Sequence, residues 1–98
     1  MNDEAHLNEV MQEVKAIQKK YPGIEKIVLF GSRARGDHRY NADIDLCVFA
    51  SEEFRDDFFT LVGEIEEIHT YYSFDVLFWH HLSNDVLKQD ILEEGIEL

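Results

Sequence analysis

The chain has 98 residues, 45% of them hydrophobic and twelve aromatic, which suits one small globular domain spanning 1–98 and leaves no room for a second. Twenty-one acidic residues against nine basic ones give a net charge of −12 at pH 7. That balance repels phosphate-rich and anionic surfaces and excludes general nucleic-acid binding.

Residues Leu7, Val10, Met11, Val14 and Ile17 recur at helical spacing. Asn2 or Asp3 is placed to cap the start, and Tyr21-Pro22-Gly23 ends the helix. The run Glu25–Phe30 is short, β-branched and aromatic, and stops at Gly31. After a polar stretch, Asp43–Ala50 forms a second such run, so both read as strands. Between Glu52 and His69 the apolar residues Phe54, Phe58, Leu61, Val62, Ile65 and Ile68 step by threes and fours, which predicts a long helix across Gly63. Ser73–Trp79 is a third strand, Ser83 or Asn84 caps a last helix through Leu92, and a short apolar tail follows Gly95. The order predicts an α/β fold, a small mixed sheet of at least three strands flanked by helices. A domain this small often relies on a partner, so a homo-oligomer or hetero-complex is expected. Cys47 is the one cysteine, which precludes an internal disulfide. The acidic N-terminal stretch has no secretory pattern, and no run of about 20 apolar residues is present to cross a bilayer. These features together predict a cytoplasmic protein without a membrane association.

The second strand opens on two carboxylates. Residues i and i+2 of a strand share a face, so Asp43 and Asp45 project together with Cα atoms about 6.6 Å apart. In the third strand Asp75 interrupts an apolar sequence and shares its face with Leu77 and Trp79. If the two strands are neighbours, three carboxylates converge, and each raises the pKa of the others unless a cation neutralises them. An all-oxygen set without His or Cys suits Mg²⁺, which usually completes its shell with water and substrate phosphates.

Upstream, Gly31-Ser-Arg-Ala-Arg-Gly36 has the glycine spacing of a phosphate loop, but Asp37 and His38 stand where Lys and Ser or Thr are required, so a Walker A loop is excluded. A strand ending in Gly31-Ser32 and entering a helical turn can still offer backbone N–H groups and a hydroxyl to a phosphate. Arg33, Arg35 and Arg39 collect a third of the basic side chains beside that turn, enough to offset locally the repulsion of a triphosphate. A solvated loop or a partner-docking surface is the alternative reading of the same arginines.

Gly31-Ser32, ten intervening residues and Asp43-Ile44-Asp45 together resemble the G-S-x10-D-x-D signature of the DNA polymerase β-type nucleotidyltransferases, and Asp75 stands where that family's third carboxylate is expected. Because the chain is nearly all one α/β unit, it most resembles the minimal nucleotidyltransferases, the MNT antitoxins paired with HEPN-domain toxins. The resemblance implies Gly31, Ser32 and Arg33 as nucleotide contacts, and Asp43, Asp45 and Asp75 as catalytic ligands of two Mg²⁺ ions, with Asp75 as general base. It further implies an NTP donor, most readily ATP, whose AMP passes to a hydroxyl of a HEPN-domain protein partner. Ala42 departs from the serine common before the first aspartate. The alternative is a catalytically silent antitoxin that neutralises its partner by binding alone. An aminoglycoside-type transferase is a weaker third reading, since no second domain exists to form an acceptor pocket.

Other features carry bland readings. Arg35-Gly-Asp37 matches an adhesion tripeptide in a chain of cytoplasmic character, and His80-His81 lacks ligand spacing to any other His or Cys, which points to a turn or interface. Phe54, Phe58, Phe59, Tyr71 and Tyr72 read mainly as core, but adjacent Phe58 and Phe59 cannot both face inward from one helix.

Overall fold

A computed structural model describes residues 3–39 and 42–98. Helix α1, Asp3–Gln18, leads into strand β1, Ile24–Phe30; a four-residue helix α2, Ser32–Arg35, precedes strand β2, Ile44–Ala50. A 3-10 turn, Glu52–Phe54, opens helix α3, Arg55–Glu66, which returns the chain to strand β3, Phe74–Phe78. A second 3-10 turn, Trp79–His81, then helix α4, Asp85–Glu94, and strand β4, Ile96–Glu97, complete the chain.

The four strands form one mixed sheet in the order β3-β2-β1-β4. β1 runs antiparallel to β2, with Phe30 opposite Asp45 and Val28 opposite Cys47. β3 is parallel to β2, as a crossover through α3 requires, and sets Asp45 beside Asp75 and Leu46 beside Val76. β4 pairs antiparallel with the other edge of β1.

Strand alternation divides the core in two. Ile27, Leu29, Ile44, Leu46, Val48 and Phe78 face the side covered by Val10, Met11 and Val14 of α1 and Leu61 and Ile65 of α3. Val28, Phe30, Cys47 and Phe49 face the other side, where Ile91 of α4 closes a smaller cluster with Leu77, Trp79 and Leu87. Asp45 and Asp75 share this second, thinner side, because each is two residues before a member of that cluster. Burial pushes the Cys47 thiol up to about 12, so it behaves as a small apolar side chain.

The structure trims several predicted boundaries. The second long helix stops at Glu66 rather than His69, because its last turn tightens: the Glu67 N–H is shared between the Gly63 and Glu64 carbonyls, and the Ile68 N–H donates to the Ile65 carbonyl. Trp79 leaves the third strand for a 3-10 turn, keeping its ring stacked on Phe49 at 4.5 Å between centroids. Of the two caps offered for the last helix, Asn84 is used, its side chain accepting from the Leu87 N–H at 3.1 Å. The Asn2 cap lies outside the described residues. The apolar tail is a strand, with Leu98 N–H donating to the Ile27 carbonyl beyond the ladder. As expected, Phe58 packs on the core while Phe59 is 81% exposed; Tyr72 is buried and Tyr71 is exposed. No helix among the described residues is long and apolar enough to cross a membrane.

Candidate active site

The site is built at one end of the sheet, where β1 leaves it and β2 and β3 enter it. Ile44 opens β2 by donating its N–H to the Ser73 carbonyl at 2.8 Å, which holds the two entrances side by side. Asp43 stands just before that bond and Asp75 one residue inside β3; both are exposed, whereas Asp45 is half-buried between them. Asp45 and Asp75 are cross-strand neighbours in register, and in a ladder directly opposed like charges are unfavourable. The Asp45 carboxyl is accordingly held above the usual carboxylate range, first by burial and then by the charges of Asp75 and Asp43, with the Arg35 guanidinium acting in the opposite sense.

Gly31 closes the site from the β1 side. It adopts φ 74°, a backbone conformation that side chains disfavour, and a Cβ built on it would overlap Oδ2 of Asp45. The register explains the proximity: Phe30 pairs with Asp45, so the next residue turns directly over that carboxylate. Ser32 then begins α2, whose first donor into the helix is the Ala34 N–H, bonded to the Gly31 carbonyl at 3.1 Å. Gly36 ends the helix in the left-handed conformation.

The arginines of α2 separate by depth. Arg33, expected among the nucleotide contacts, is turned inward and only 5% exposed. Its Nε and Nη2 donate to the Ala42 carbonyl at 3.2 and 2.9 Å, and its guanidinium lies 4.5 Å from the Tyr72 ring centroid. A planar, five-donor cation suits this combination of hydrogen bonds and ring contact. Arg35 stays on the surface, where it pairs with Asp37 at 3.1 Å and Glu94 of α4 at 3.8 Å. It is the arginine whose charge is felt at Asp45, and a count of basic residues alone did not distinguish it from its neighbours. A cavity of about 500 Å³ also borders Arg33, but its other walls include Leu7, Met11, Leu29 and Leu98, on the α1 side of the sheet and away from the carboxylates.

The three aspartates are thus brought to one edge of the sheet, Asp45 and Asp75 on the same face. Among the described residues, however, no three His, Cys, Asp or Glu side chains stand close enough together to hold a metal ion by themselves. The chemistry of the donors still fits Mg²⁺. That ion is typically held by one or two carboxylates plus substrate phosphates rather than by an all-protein cage, and the mutual repulsion recorded at Asp45 is what a cation would relieve. His80 and His81 lie apart from this edge, each 3.5 Å from Glu52, and tie the two 3-10 turns together as a turn role requires.

Comparison with known proteins places this geometry. The chain belongs to the polymerase beta nucleotidyltransferase family, whose model matches residues 12–98. A protein of Methanocaldococcus jannaschii named "Putative protein adenylyltransferase MJ0604" is 44% identical over 55 residues, a match covering 55% of this chain and 52% of that protein. The chain therefore spans about half the length of this curated relative. Among solved structures, one described as a "putative minimal nucleotidyltransferase" superposes with a TM-score of 0.64 at 24% identity, covering 100% of this chain and 97% of the other. A toxin-antitoxin complex with AMP-PNP gives 0.65 at 22% identity, over 99% of this chain and 72% of the other. A tri-AMPylated Shewanella oneidensis HEPN toxin in complex with its MNT antitoxin gives 0.52 at 20% identity, over 97% of this chain and 67% of the other. These three likenesses establish the fold, a minimal nucleotidyltransferase sheet.

Proposed function

We propose that this protein transfers AMP from ATP to a hydroxyl group of a partner protein, as the MNT antitoxin of a HEPN toxin pair. The observation that carries the reading is the in-register juxtaposition of Asp45 and Asp75 directly beside the Gly31-Ser32 turn, inside a family whose members are nucleotidyltransferases. Asp43, Asp45 and Asp75 would hold two Mg²⁺ ions, with substrate phosphate oxygens completing each shell. Bound there, the ions would lower the pKa of the attacking hydroxyl and offset charge on the leaving pyrophosphate.

The chain's own residues supply position and proton acceptance. Gly31 lets the backbone of the turn pass over Asp45 without a side chain between them, and Ser32 presents its hydroxyl and N–H at the start of α2, where a triphosphate can be oriented. Asp75, the exposed member of the strand pair, is placed to accept the proton of the incoming hydroxyl while the half-buried Asp45 remains the fixed ligand. Arg35, already near enough to favour ionisation of Asp45, is the surface cation available to a phosphate once it exchanges its carboxylate partners. In this reading the acceptor hydroxyl belongs to a partner protein that docks over the exposed carboxylates of Asp43 and Asp75.

The test is intact-mass analysis of the co-expressed product of the adjacent gene after incubation with the purified chain and MgATP, beside the Asp43→Asn/Asp45→Asn double variant. One or more added AMP masses with the unmodified chain alone is the expected result. A stable, toxin-silencing complex without mass change under any of the four NTPs would instead leave an antitoxin that acts by binding.

A further inference from the structure

The geometry points to Arg33 as a positioning residue that locks the three backbone entrances of the active site together, rather than as a ligand of the nucleotide. This inference rests on the nucleotidyltransferase reading above and assigns a role that the reading does not contain. Arg33 directly follows Ser32 in α2, so its backbone belongs to the phosphate turn. Its guanidinium grips the Ala42 carbonyl through two nitrogens, one residue before Asp43. Its Cζ lies over the ring of Tyr72, three residues before Asp75. One buried cation thereby ties together the turn and the approaches to both aspartate-bearing strands, which are 31 to 33, 42 to 45 and 72 to 75 in the chain.

The chemistry of the tie explains why arginine is used. Two N–H groups converging on one carbonyl orient the guanidinium, whose Cζ lies 4.5 Å from the ring centroid; a lysine ammonium keeps the charge but offers no such fork. At 5% exposure the side chain would have to leave the Ala42 carbonyl and the Tyr72 ring to meet a phosphate in solvent, and that half-buried carbonyl would lose two charged donors. Tyr72 is itself braced from behind: His6 of α1 lies 5.2 Å from it and Tyr71 4.7 Å, ring centroid to centroid. The Tyr72 N–H also donates to Thr70 Oγ1 at 3.3 Å, and that hydroxyl is in turn bonded to His6 Nε2 at 2.9 Å. These contacts run from α1 through the β3 entrance to α2, and add packed side chains to the Ile44–Ser73 backbone bond that holds the two strand entrances together. Groups that orient metal ligands in this indirect way typically matter by roughly 10- to 100-fold in metal affinity.

The test compares Arg33→Lys, Arg33→Met, Tyr72→Phe and Tyr72→Leu by two measurements, neither of which needs turnover. The first is amide hydrogen exchange of the ligand-free chain. Arg33→Lys, Arg33→Met and Tyr72→Leu are expected to speed exchange at both 42–45 and 72–75 by roughly tenfold or more, with α4 unchanged, while Tyr72→Phe, which keeps the ring, changes it less than Tyr72→Leu. The second is Mn²⁺ binding, followed by electron paramagnetic resonance in the presence of AMP-PNP. The same three variants should weaken it by roughly tenfold, and Tyr72→Phe by less than Tyr72→Leu. If Arg33→Lys matched the unmodified chain in both measurements while Arg33→Met lost nucleotide-dependent Mn²⁺ binding, Arg33 would be a charge contact to phosphate and the positioning role would be overturned. Unchanged exchange in Tyr72→Leu would overturn it equally, should the Arg33 variants fail to fold. If the unmodified chain bound no Mn²⁺ with AMP-PNP yet the exchange pattern held, the positioning role would stand and the transferase reading would fall.

Discussion

At the scale of single residues, the site depends on one glycine as much as on its aspartates. Gly31 meets two demands at once: its φ of 74° lies where side chains are strained, and any Cβ would overlap the Asp45 carboxylate. Gly31→Ala should therefore cost about 1–3 kcal/mol in urea unfolding. It should also displace Asp45 or the turn, so that AMP transfer falls by a larger factor than the stability loss alone accounts for. Gly36 supplies the contrast. It also has positive φ, but nothing stands within 4 Å of where a Cβ would be, so Gly36→Ala should carry the conformational cost and spare the carboxylates. Equal loss of transfer activity in the two variants, measured at matched folded fractions, would show that the contact with Asp45 is irrelevant. Gly31, Asp43 and Asp45 could be picked out in the sequence because their spacing is local, whereas Asp75 depends on the pairing of β3 with β2. The surroundings of Arg33 could not: an arginine beside a phosphate turn has the residue type of a ligand, and only the tertiary arrangement brings two of its nitrogens to the Ala42 carbonyl and its guanidinium to the Tyr72 ring.

At the scale of elements, the long-periodic pieces were readable and the short ones were not. The period-two pattern of Phe74, Val76 and Phe78 against Asp75, Leu77 and Trp79 assigned the two faces of β3 correctly, because a parallel strand between two apolar layers leaves few alternatives for a carboxylate. β4 had no comparable signal. Two paired residues carry no period, and the strand exists because Gly95 lets the chain turn tightly off α4 and lie along β1. Gly95 does this at an ordinary negative φ, so its requirement is space: a Cβ would overlap Cγ1 of Val28 and the carbonyl oxygen of Ile91. Gly95→Ala should destabilise the fold by about 1–3 kcal/mol, the usual cost of forcing an added methyl into packed structure. The Leu98 N–H that donates to the Ile27 carbonyl should exchange faster in the variant. Because β4 lies on the far edge of the sheet from β3, the affinity for Mn²⁺ with AMP-PNP should be retained, which separates loss of the edge from loss of the site.

At the scale of the whole molecule, the two helices on the side of the sheet away from the aspartates are joined to each other, and that joint titrates. Tyr21, in the turn between α1 and β1, donates its hydroxyl to Oε1 of Glu64 on α3, and Lys20 reaches Oε2 of the same carboxylate at 3.0 Å. The Tyr21 hydrogen bond, then that of Lys20, holds the Glu64 carboxyl below its ordinary value, whereas the Glu64 bond, with burial and the nearby charge, pushes the Tyr21 phenol up to about 12. The signs define a window. A carboxyl lowered on folding adds stability above its unfolded pKa, and that stability is lost as pH falls through the folded value. A phenol raised on folding adds stability in full below its ordinary value near 10 and loses it as pH rises through about 12. Tyr21→Phe keeps the ring that meets Phe54 edge-on at 5.9 Å and removes only the hydroxyl. The variant should melt a few degrees lower than the unmodified chain across the neutral range. The gap should close below the carboxylate range, where Glu64 is protonated and no longer a charged acceptor. Thermal melts of both chains from pH 2 to 9 make the comparison. A gap that persisted undiminished into acid would assign the loss to packing of the turn, and would leave the hydroxyl–carboxylate bond without a part in fastening α1 to α3.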